Sequence, residues 1–171
     1  EEGIFQRAVQ ALAQELSGLM AGVPRNGLVL VAGLGNRAIT PDAIGPKVHQ
    51  NVLVTRHLVR QMPEHFGALR PVASLAAEVM GTTGMESGEL VRAVCEKVNP
   101  ACVVAVDALA SRSLKRLCRT IQLSDTGITP GSGVGNHRMG LTRESLGVPV
   151  VALGVPTVVD GATLAADLLG A

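Results

Sequence analysis

The chain lacks several features by which proteins are commonly classified. It has no tryptophan and no tyrosine, so it barely absorbs ultraviolet light at the wavelength used to measure protein concentration. Its formal net charge is only +1 at pH 7, which gives no electrostatic reason to expect binding to nucleic acid or to an anionic membrane. No apolar run approaches the ~20 residues of a transmembrane helix, and no signal peptide is visible.

Cysteine is scarce as well. The three cysteines, Cys95, Cys102 and Cys118, are odd in number and scattered, which excludes a disulfide framework and favours a reducing, cytoplasmic compartment. Each has apolar neighbours, so we expect buried and inert thiols. Neither these cysteines nor the four histidines show the spacing of a metal site, and the sequence predicts no metal and no cofactor.

What the chain does contain is apolar residues, which make up 47% of its composition, against 17% charged residues. This balance excludes disorder, and the length of 171 residues predicts a single domain over residues 1–171. The chain begins at Glu1 rather than at methionine, so we expect a processed or excised piece of a longer protein.

Apolar runs of strand length alternate with segments of helical periodicity. The predicted strands cover residues 28–32, 72–77, 101–106, 119–123 and 150–155. The predicted helices cover residues 4–20, 40–60, 87–98, 109–117 and 161–169, with loops at 81–84 and 124–149. The alternation predicts an α/β three-layer sandwich, in which helices cover both faces of a mostly parallel central sheet.

Two aspartates fall where such a sheet binds ligands. Asp107 ends the predicted third strand, and Asp42 lies in the loop after the first. Ligands bind beyond the carboxyl ends of parallel strands, where the strand order reverses, and the first and third strands often flank that point. We therefore expect both carboxyl groups in one cleft. There they can share a proton, one acting as a base toward water and the other as an acid.

Each aspartate also has an ordinary structural interpretation. Residues 40–42 (TPD) are typical of a helix start, with a hydroxyl cap at Thr40, proline in the first turn and an acid that favours the helix dipole. Asp107 could simply cap the helix predicted to follow it. A metal site built from both aspartates and one histidine is a further alternative.

Two glycine-rich segments resemble nucleotide-binding loops without meeting their requirements. Residues 33–38 (GLGNRA) fit the dinucleotide fingerprint, but the helix start comes too late and no acid ends a strand about 20 residues on. Residues 130–136 lack the Gly-Lys-Ser/Thr of a phosphate loop. We interpret the first as a tight turn beside the site. The second is either a flexible surface loop or a wall of a substrate cleft. No GxSxG elbow is present, which argues against a serine hydrolase.

The residues themselves then resemble a known family. The matching blocks are residues 31–36 (VAGLGN), 40–46 (TPDAIGP), 53–58 (LVTRHL), 79–86 (VMGTTGME), 104–110 (VAVDALA), 124–136 (SDTGITPGSGVGN) and 154–160 (GVPTVVD). In this order, and over nearly the whole chain, they resemble germination protease. The resemblance implies a fold like that of the hydrogenase-maturation peptidases.

By this resemblance, Asp42 and Asp107 are the catalytic pair of an atypical aspartic endopeptidase that degrades small acid-soluble spore proteins during germination. Asn36 and Thr40 would orient them. Residues 131–136 would border the peptide, so the predicted substrate-binding residues are Asn36, Thr40, Gly131, Ser132, Gly133 and Asn136. The family also implies a zymogen that loses an N-terminal segment, a homotetramer, a location in the spore core and further chain beyond the last block.

Two residues depart from the family pattern. Thr129 stands where the family usually has histidine, which weakens a metal site there, and Glu78 stands where it usually has glycine. Glu78 could be a third acid near the cleft that raises a neighbouring carboxyl pKa. Two alternatives remain open at this point: a nickel-dependent maturation-type peptidase, and a non-catalytic sporulation-related binding protein of the same fold.

Overall fold

The protein, in a computed structural model that describes residues 2–131 and 138–170, is built around one five-stranded sheet. The strands are β1 (Val29–Leu34), β2 (Val72–Ala77), β3 (Cys102–Ser111), β4 (Gln122–Ser124) and β5 (Val150–Val159). The helices are α1 (Glu2–Leu19), α2 (Ile44–Asn51), α3 (Arg56–Gln61), α4 (Pro63–Phe66), α5 (Met80–Thr83), α6 (Ser87–Val98), α7 (Arg143–Leu146) and α8 (Gly161–Leu169).

The strands lie in the order β2-β1-β3-β5-β4, and all neighbouring pairs are parallel except β4 with β5. The chain moves from β1 outward to β2 on one side and then returns to place β3 on the other side of β1. The order therefore reverses between β1 and β3, as predicted, and this is the position where a parallel sheet opens a crevice at its carboxyl edge.

Helices cover both faces of the sheet. On one face, Leu30, Val103 and Ala105 pack with Val91 and Cys95 of α6. The other face carries the alternate residues of the same strands, and it packs against α1 and α2 through Leu16, Met20, Ile44 and Val48. Because β1 and β3 are buried on both faces, their sequences are continuous apolar runs rather than alternating patterns. The predicted three-layer α/β class is confirmed.

Helix α1 packs on the sheet only through its carboxyl-terminal half. Leu12, Leu16 and Met20 are half-buried, whereas Ile4 and Phe5 are 64% and 66% exposed. Among the described residues, no helix combines the length and the apolar character needed to cross a membrane.

The single helix predicted over residues 40–60 is wrong. Residues 40–42 form a 3-10 turn, α2 ends at Asn51, and α3 starts only at Arg56. Thr55 explains the break, because its backbone N–H donates to Val72 O while its hydroxyl donates to Arg70 O and accepts from Val72 N. These long-range bonds tie the segment to the start of β2, which local periodicity cannot reveal.

The structure also corrects the region after Asp107. Strand β3 continues through Asp107 to Ser111, and turns rather than a helix follow over residues 112–119. Strand β5 runs correspondingly further than predicted, to Val159, and the two extensions pair with each other from Ala108 with Val155 to Ser111 with Val159. Each extension exists because the other is beside it. The strand was predicted to end at residue 106 because the polar Asp107 interrupts the apolar run.

Smaller corrections concern single features. Residues 81–84, predicted as a loop, belong mostly to the helical turn α5, and the strand predicted over 119–123 is the shorter β4. Cys95 and Cys102 are buried, and burial raises the pKa of the Cys95 thiol to about 11. Cys118, however, is exposed and has a positive φ of 54°. The prediction of three buried thiols is therefore wrong for one of them.

Candidate functional site

Two glycines set the distance between helix α2 and the sheet. A Cβ atom on Gly33 of β1 would overlap the carbonyl of Gly45 in α2. A Cβ atom on Gly45 would overlap the backbone of Leu34 and lie 2.6 Å from Val106 O of β3. The first turn of α2 therefore lies directly on the backbone of β1 and β3. This contact brings the turn that precedes α2 to the crevice between these two strands.

That turn carries Asp42, and a third glycine fixes its position. Gly35 has a φ of +107°, and a Cβ atom there would overlap Asp42 O and lie 2.9 Å from Asp42 Oδ1. The chain can fold back on itself this tightly only with glycine. The backbone N–H of Asn36 donates to Asp42 Oδ2 at 2.7 Å. This bond fixes the orientation of the Asp42 carboxyl group, which is half-buried.

A side chain of β5 holds the same turn from the other side. Thr157 lies in the extension of β5, and its hydroxyl donates to Pro41 O at 2.6 Å. The residues are 116 positions apart in the chain. This bond links the extended part of the sheet to the residue directly before Asp42.

Asp107 sits in a different environment, inside the sheet. It is only 6% exposed, and its Oδ1 accepts a hydrogen bond from the backbone N–H of Ala108 at 2.9 Å. Burial is the main cause that raises the pKa of Asp107 from 3.8 to about 7, and the nearby charge of Asp42 raises it further. The Ala108 N–H and the charge of Arg138 oppose this rise. Near neutral pH the Asp107 carboxyl is therefore protonated in a large fraction of molecules.

Both carboxyl groups line one cleft at the carboxyl edge of the sheet, with a volume of about 690 Å³. Its floor is formed by Leu34 and Gly35, and one wall by the extension of β3 from Asp107 to Ser111. The 3-10 turn, residues 129–131, Arg138 and the end of β5 also contribute to its lining. A cleft of this volume accommodates several residues of a polypeptide or a small molecule, and its two acids can supply a base and a proton donor to whatever binds.

Comparison with known proteins identifies the family. The sequence profile of the family described as germination protease matches residues 2–170. The germination protease of Clostridium perfringens (strain ATCC 13124) is 53% identical over 168 residues, which cover 98% of this chain and 51% of the relative. The chain belongs to the germination protease family.

Other germination proteases show the same relation. That of Caldanaerobacter subterraneus is 51% identical and that of Bacillus velezensis 49%, each over 165 residues. The matches cover 96% and 95% of this chain but 51% and 45% of the relatives. The chain thus spans about half the length of the curated germination proteases that it matches.

Solved structures give only distant similarity. An uncharacterized protein from Wolinella succinogenes has a TM-score of 0.38 at 14% identity and covers 84% of this chain and 91% of its own. The NiFe hydrogenase maturation protease HybD from Thermococcus kodakarensis has a TM-score of 0.35 at 13% identity, with coverages of 82% and 92%. TM-scores this low do not establish a common fold or a common function.

In this member of the germination protease family, the two predicted aspartates do meet in one cleft. The structural interpretation of Asp42 as an acid in a first helical turn holds for the 3-10 turn, whereas the interpretation of Asp107 as a helix cap is wrong. Asp42 accepts its hydrogen bond from Asn36, six residues earlier, and the cap position of α2 is Ala43. Asp107 caps no helix, because strand β3 continues past it.

The predicted substrate-binding residues differ in where they lie. Gly131 lines the cleft. Asn36 acts on Asp42 through its backbone, while its side-chain Oδ1 accepts from Ala38 N. Thr40 is exposed and lies within the 3-10 turn, whose cap position is Ile39, so the predicted hydroxyl cap at Thr40 is wrong. The other three predicted residues, Ser132, Gly133 and Asn136, lie outside the described residues.

Several cleft residues were not predicted. Arg138 lines the cleft and lowers the pKa of Asp107. Thr157 lies within a family block, and a β-branched hydroxyl residue after the last apolar run was the available signal. Gly45 is not among the cleft-lining residues and lies within the family block 40–46, but its close contact with β1 and β3 was not predicted. Apolar sequence patterns predict which side chains are buried. They do not predict close backbone contacts, which require a residue without a side chain.

The structure also shows the surroundings of the residues that the sequence suggested for phosphate or metal binding. The Asn36 N–H is engaged by Asp42, so the first glycine-rich turn does not present it to a phosphate. Thr129, one of the two departures from the family pattern noted in the sequence, lines the cleft. Over residues 2–131 and 138–170, no group of three or more histidine, cysteine, aspartate or glutamate side chains is arranged to hold a metal ion. Glu78 is not among the groups that shift the pKa of Asp107.

Proposed function

We propose that this protein is an endopeptidase of spore germination that hydrolyses small acid-soluble spore proteins with the two carboxyl groups of Asp42 and Asp107. The observation that supports it most strongly is the unequal environment of the pair. Asp107 is buried with a raised pKa, and Asp42 is half-buried and accepts an amide N–H. A buried acid with a raised pKa beside a second, more exposed acid is the pattern of a general acid and a general base.

In the proposed mechanism, the Asp42 carboxylate removes a proton from a water molecule, whose oxygen then attacks the carbonyl carbon of the scissile peptide bond. Protonated Asp107 gives its proton to the carbonyl oxygen, which forms a neutral tetrahedral intermediate. Asp42 then returns its proton to the leaving nitrogen as the C–N bond breaks. Asp107 regains its proton as the carbonyl is restored, so both acids end in their starting states.

The finer assignments follow from the family rather than from the cleft. Spore proteins are proposed as substrates because the relatives are germination proteases. The spore core as location, processing from a zymogen and assembly into a homotetramer are proposed on the same ground. Gly131, with the predicted Asn36, Thr40, Ser132, Gly133 and Asn136, is proposed to contact the peptide or the catalytic pair.

The test is cleavage of a purified small acid-soluble spore protein by the full-length protein, with and without a chelator. We expect cleavage that resists the chelator and is lost in both Asp42→Asn and Asp107→Asn. A matched control is Asp125→Asn, an aspartate that does not line the cleft. Retained cleavage in either cleft variant would refute the pair. Loss of cleavage with the chelator would instead support the metal-dependent alternative, and tight binding without cleavage would support a binding protein.

A further inference from the structure

Strand β3 extends beyond the end of its neighbour β1 directly beside the catalytic pair. Strand β1 ends at Leu34, and its pairing with β3 ends where Gly33 faces Val106. Strand β3 nevertheless continues for five more residues, from Asp107 to Ser111. On the side toward β5, these residues pair with Gly154–Val159. Beyond Leu34, the opposite side of β3 has lost its neighbouring strand.

No replacement strand occupies that side within the described residues. Over residues 2–131 and 138–170, no main-chain hydrogen bond outside the helices and the sheet involves residues 108–111. The N–H of Ala108 donates to Asp107 Oδ1, so this main-chain donor already has a side-chain partner. An unpaired strand edge is a template for another extended chain, since it presents main-chain donors and acceptors at the spacing of a ladder.

This edge also faces the cleft. All five residues from Asp107 to Ser111 line it, with Ala108 and Leu109 half-buried and Ala110 exposed. The side chains at 108 and 110 are methyl groups, which leave room for a backbone to approach. The side chains of Arg112 and Val158 also line this end of the cleft.

We propose that the substrate polypeptide binds as an added strand on the free edge of Ala108–Ser111, in the place that β1 would occupy if it continued. This inference deepens the proposed function, because the added strand would end at Asp107 and deliver its carbonyl to the catalytic pair. Four residues of a strand span about 13 Å, so about four substrate residues on one side of the scissile bond pair with this edge. The edge recognises backbone, and therefore selects an extended, unfolded segment.

The experiment uses fluorescein-labelled peptides of about 12 residues that tile one small acid-soluble spore protein. Binding to the full-length Asp42→Asn protein is measured by anisotropy, and cleavage is measured with the unaltered protein. The tightest-binding peptide is then N-methylated at each position in turn. In an added strand, alternate N–H groups face the neighbour, so we expect losses of about tenfold in affinity at every second position over about four residues. Intervening positions should change little.

Hydrogen exchange of the same full-length variant provides the second measurement. The peptide should slow exchange in the segment 108–111 but not in β2 (Val72–Ala77), which lies at one edge of the sheet. This measurement needs no substitution at the edge itself. It therefore does not depend on whether a variant of β3 folds.

The outcomes separate this inference from the proposed function. Peptides that bind with period-two sensitivity but are never cleaved would support strand addition and refute the peptidase. Peptides that are cleaved with no alternation, or that protect β2 instead of residues 108–111, would support the peptidase and refute strand addition. Failure of every tiled peptide to bind would refute strand addition as well.

Discussion

The two aspartates of the cleft are the same residue type in opposite settings. Asp107 belongs to a central strand, is 6% exposed, and receives its hydrogen bond from the next residue in the chain. Asp42 belongs to a turn on the surface side of the cleft, is half-buried, and receives its bond from a residue six positions earlier. The sheet thus supplies the desolvation that keeps one proton bound, while a glycine-dependent turn supplies the partner charge. Position in the fold thus accounts for the different roles proposed for the two aspartates.

The largest expected effect comes from removing either carboxylate. Asp42→Asn and Asp107→Asn in the full-length protein should each lower kcat by about a thousandfold, since each removes a proton transfer from the reaction. The measurement is steady-state cleavage of a small acid-soluble spore protein. If one variant kept kcat within tenfold of the unaltered protein, the two residues would not form a working pair.

The same variants should differ in how stability depends on pH. The folded pKa of Asp107 is raised to about 7 from 3.8, so the folded state holds a proton that the unfolded state has already lost. Its contribution to stability is fully present below 3.8 and is lost as pH rises through 7, a change of roughly 4 kcal/mol. Urea unfolding at pH 4 to 8 should show that Asp107→Asn removes this dependence. Asp42→Asn should leave most of it, because burial is its main cause.

Gly35→Ala tests whether the turn matters as much as the carboxylate. The added Cβ would displace Asp42, so we expect kcat to fall by about ten- to a hundredfold, as misplacement of a catalytic group typically does. The matched control is Gly147→Ala, which has a similar requirement for positive φ but open space around its Cβ. Both variants should lose about 1 kcal/mol of stability from backbone strain. Equal activity in the two would show that the Gly35 turn does not position Asp42.

The pH profile of kcat/KM sharpens the assignment of acid and base. Activity that needs protonated Asp107 should fall about tenfold per pH unit above about 7, as that proton is lost. The profile should be measured between pH 5 and 9 with a peptide whose own groups do not titrate there. A rise in kcat/KM through pH 7 would reverse the assignment and make Asp107 the base.

Thr157→Val should have the smallest effect. It removes the hydroxyl that donates to Pro41 O while keeping the shape of the side chain. We expect kcat/KM to fall by about three- to tenfold, the equivalent of one neutral hydrogen bond. Thr120→Val, which removes an exposed bond to Arg116 O, is the control and should leave kcat/KM unchanged. A null result at Thr157 would mean that Gly35 and Asn36 hold the turn by themselves.

The layers of the fold could be predicted because they depend on local apolar patterns. Strand β2 and helices α6 and α8 match the predicted ranges, and β1 and β3 lie on either side of the reversal in strand order. The same rule brought Asp42 and Asp107 together without any knowledge of the loops between them. Their different environments could not be predicted, since the burial of Asp107 depends on strands that the pattern ended too early.

The errors share a cause in long-range contacts. Thr55 ends the helix predicted over 40–60 because it bonds to residues 70 and 72. The extensions of β3 and β5 stabilise each other across 40 or more residues of sequence, although Asp107 and Pro156 are poor strand formers by themselves. In both places a partner distant in the sequence overrides the local preference, and no window of neighbouring residues contains that partner.

The contact between Gly33 and Gly45 has a consequence for anyone who designs such a site. A single methyl group at either position would push α2 off the sheet and carry the Asp42 turn away from Asp107. Copying the two acids onto another parallel sheet would therefore fail unless the glycines were copied first. The placement of this pair of acids therefore depends mainly on glycines, at positions where a side chain would prevent the close backbone contacts.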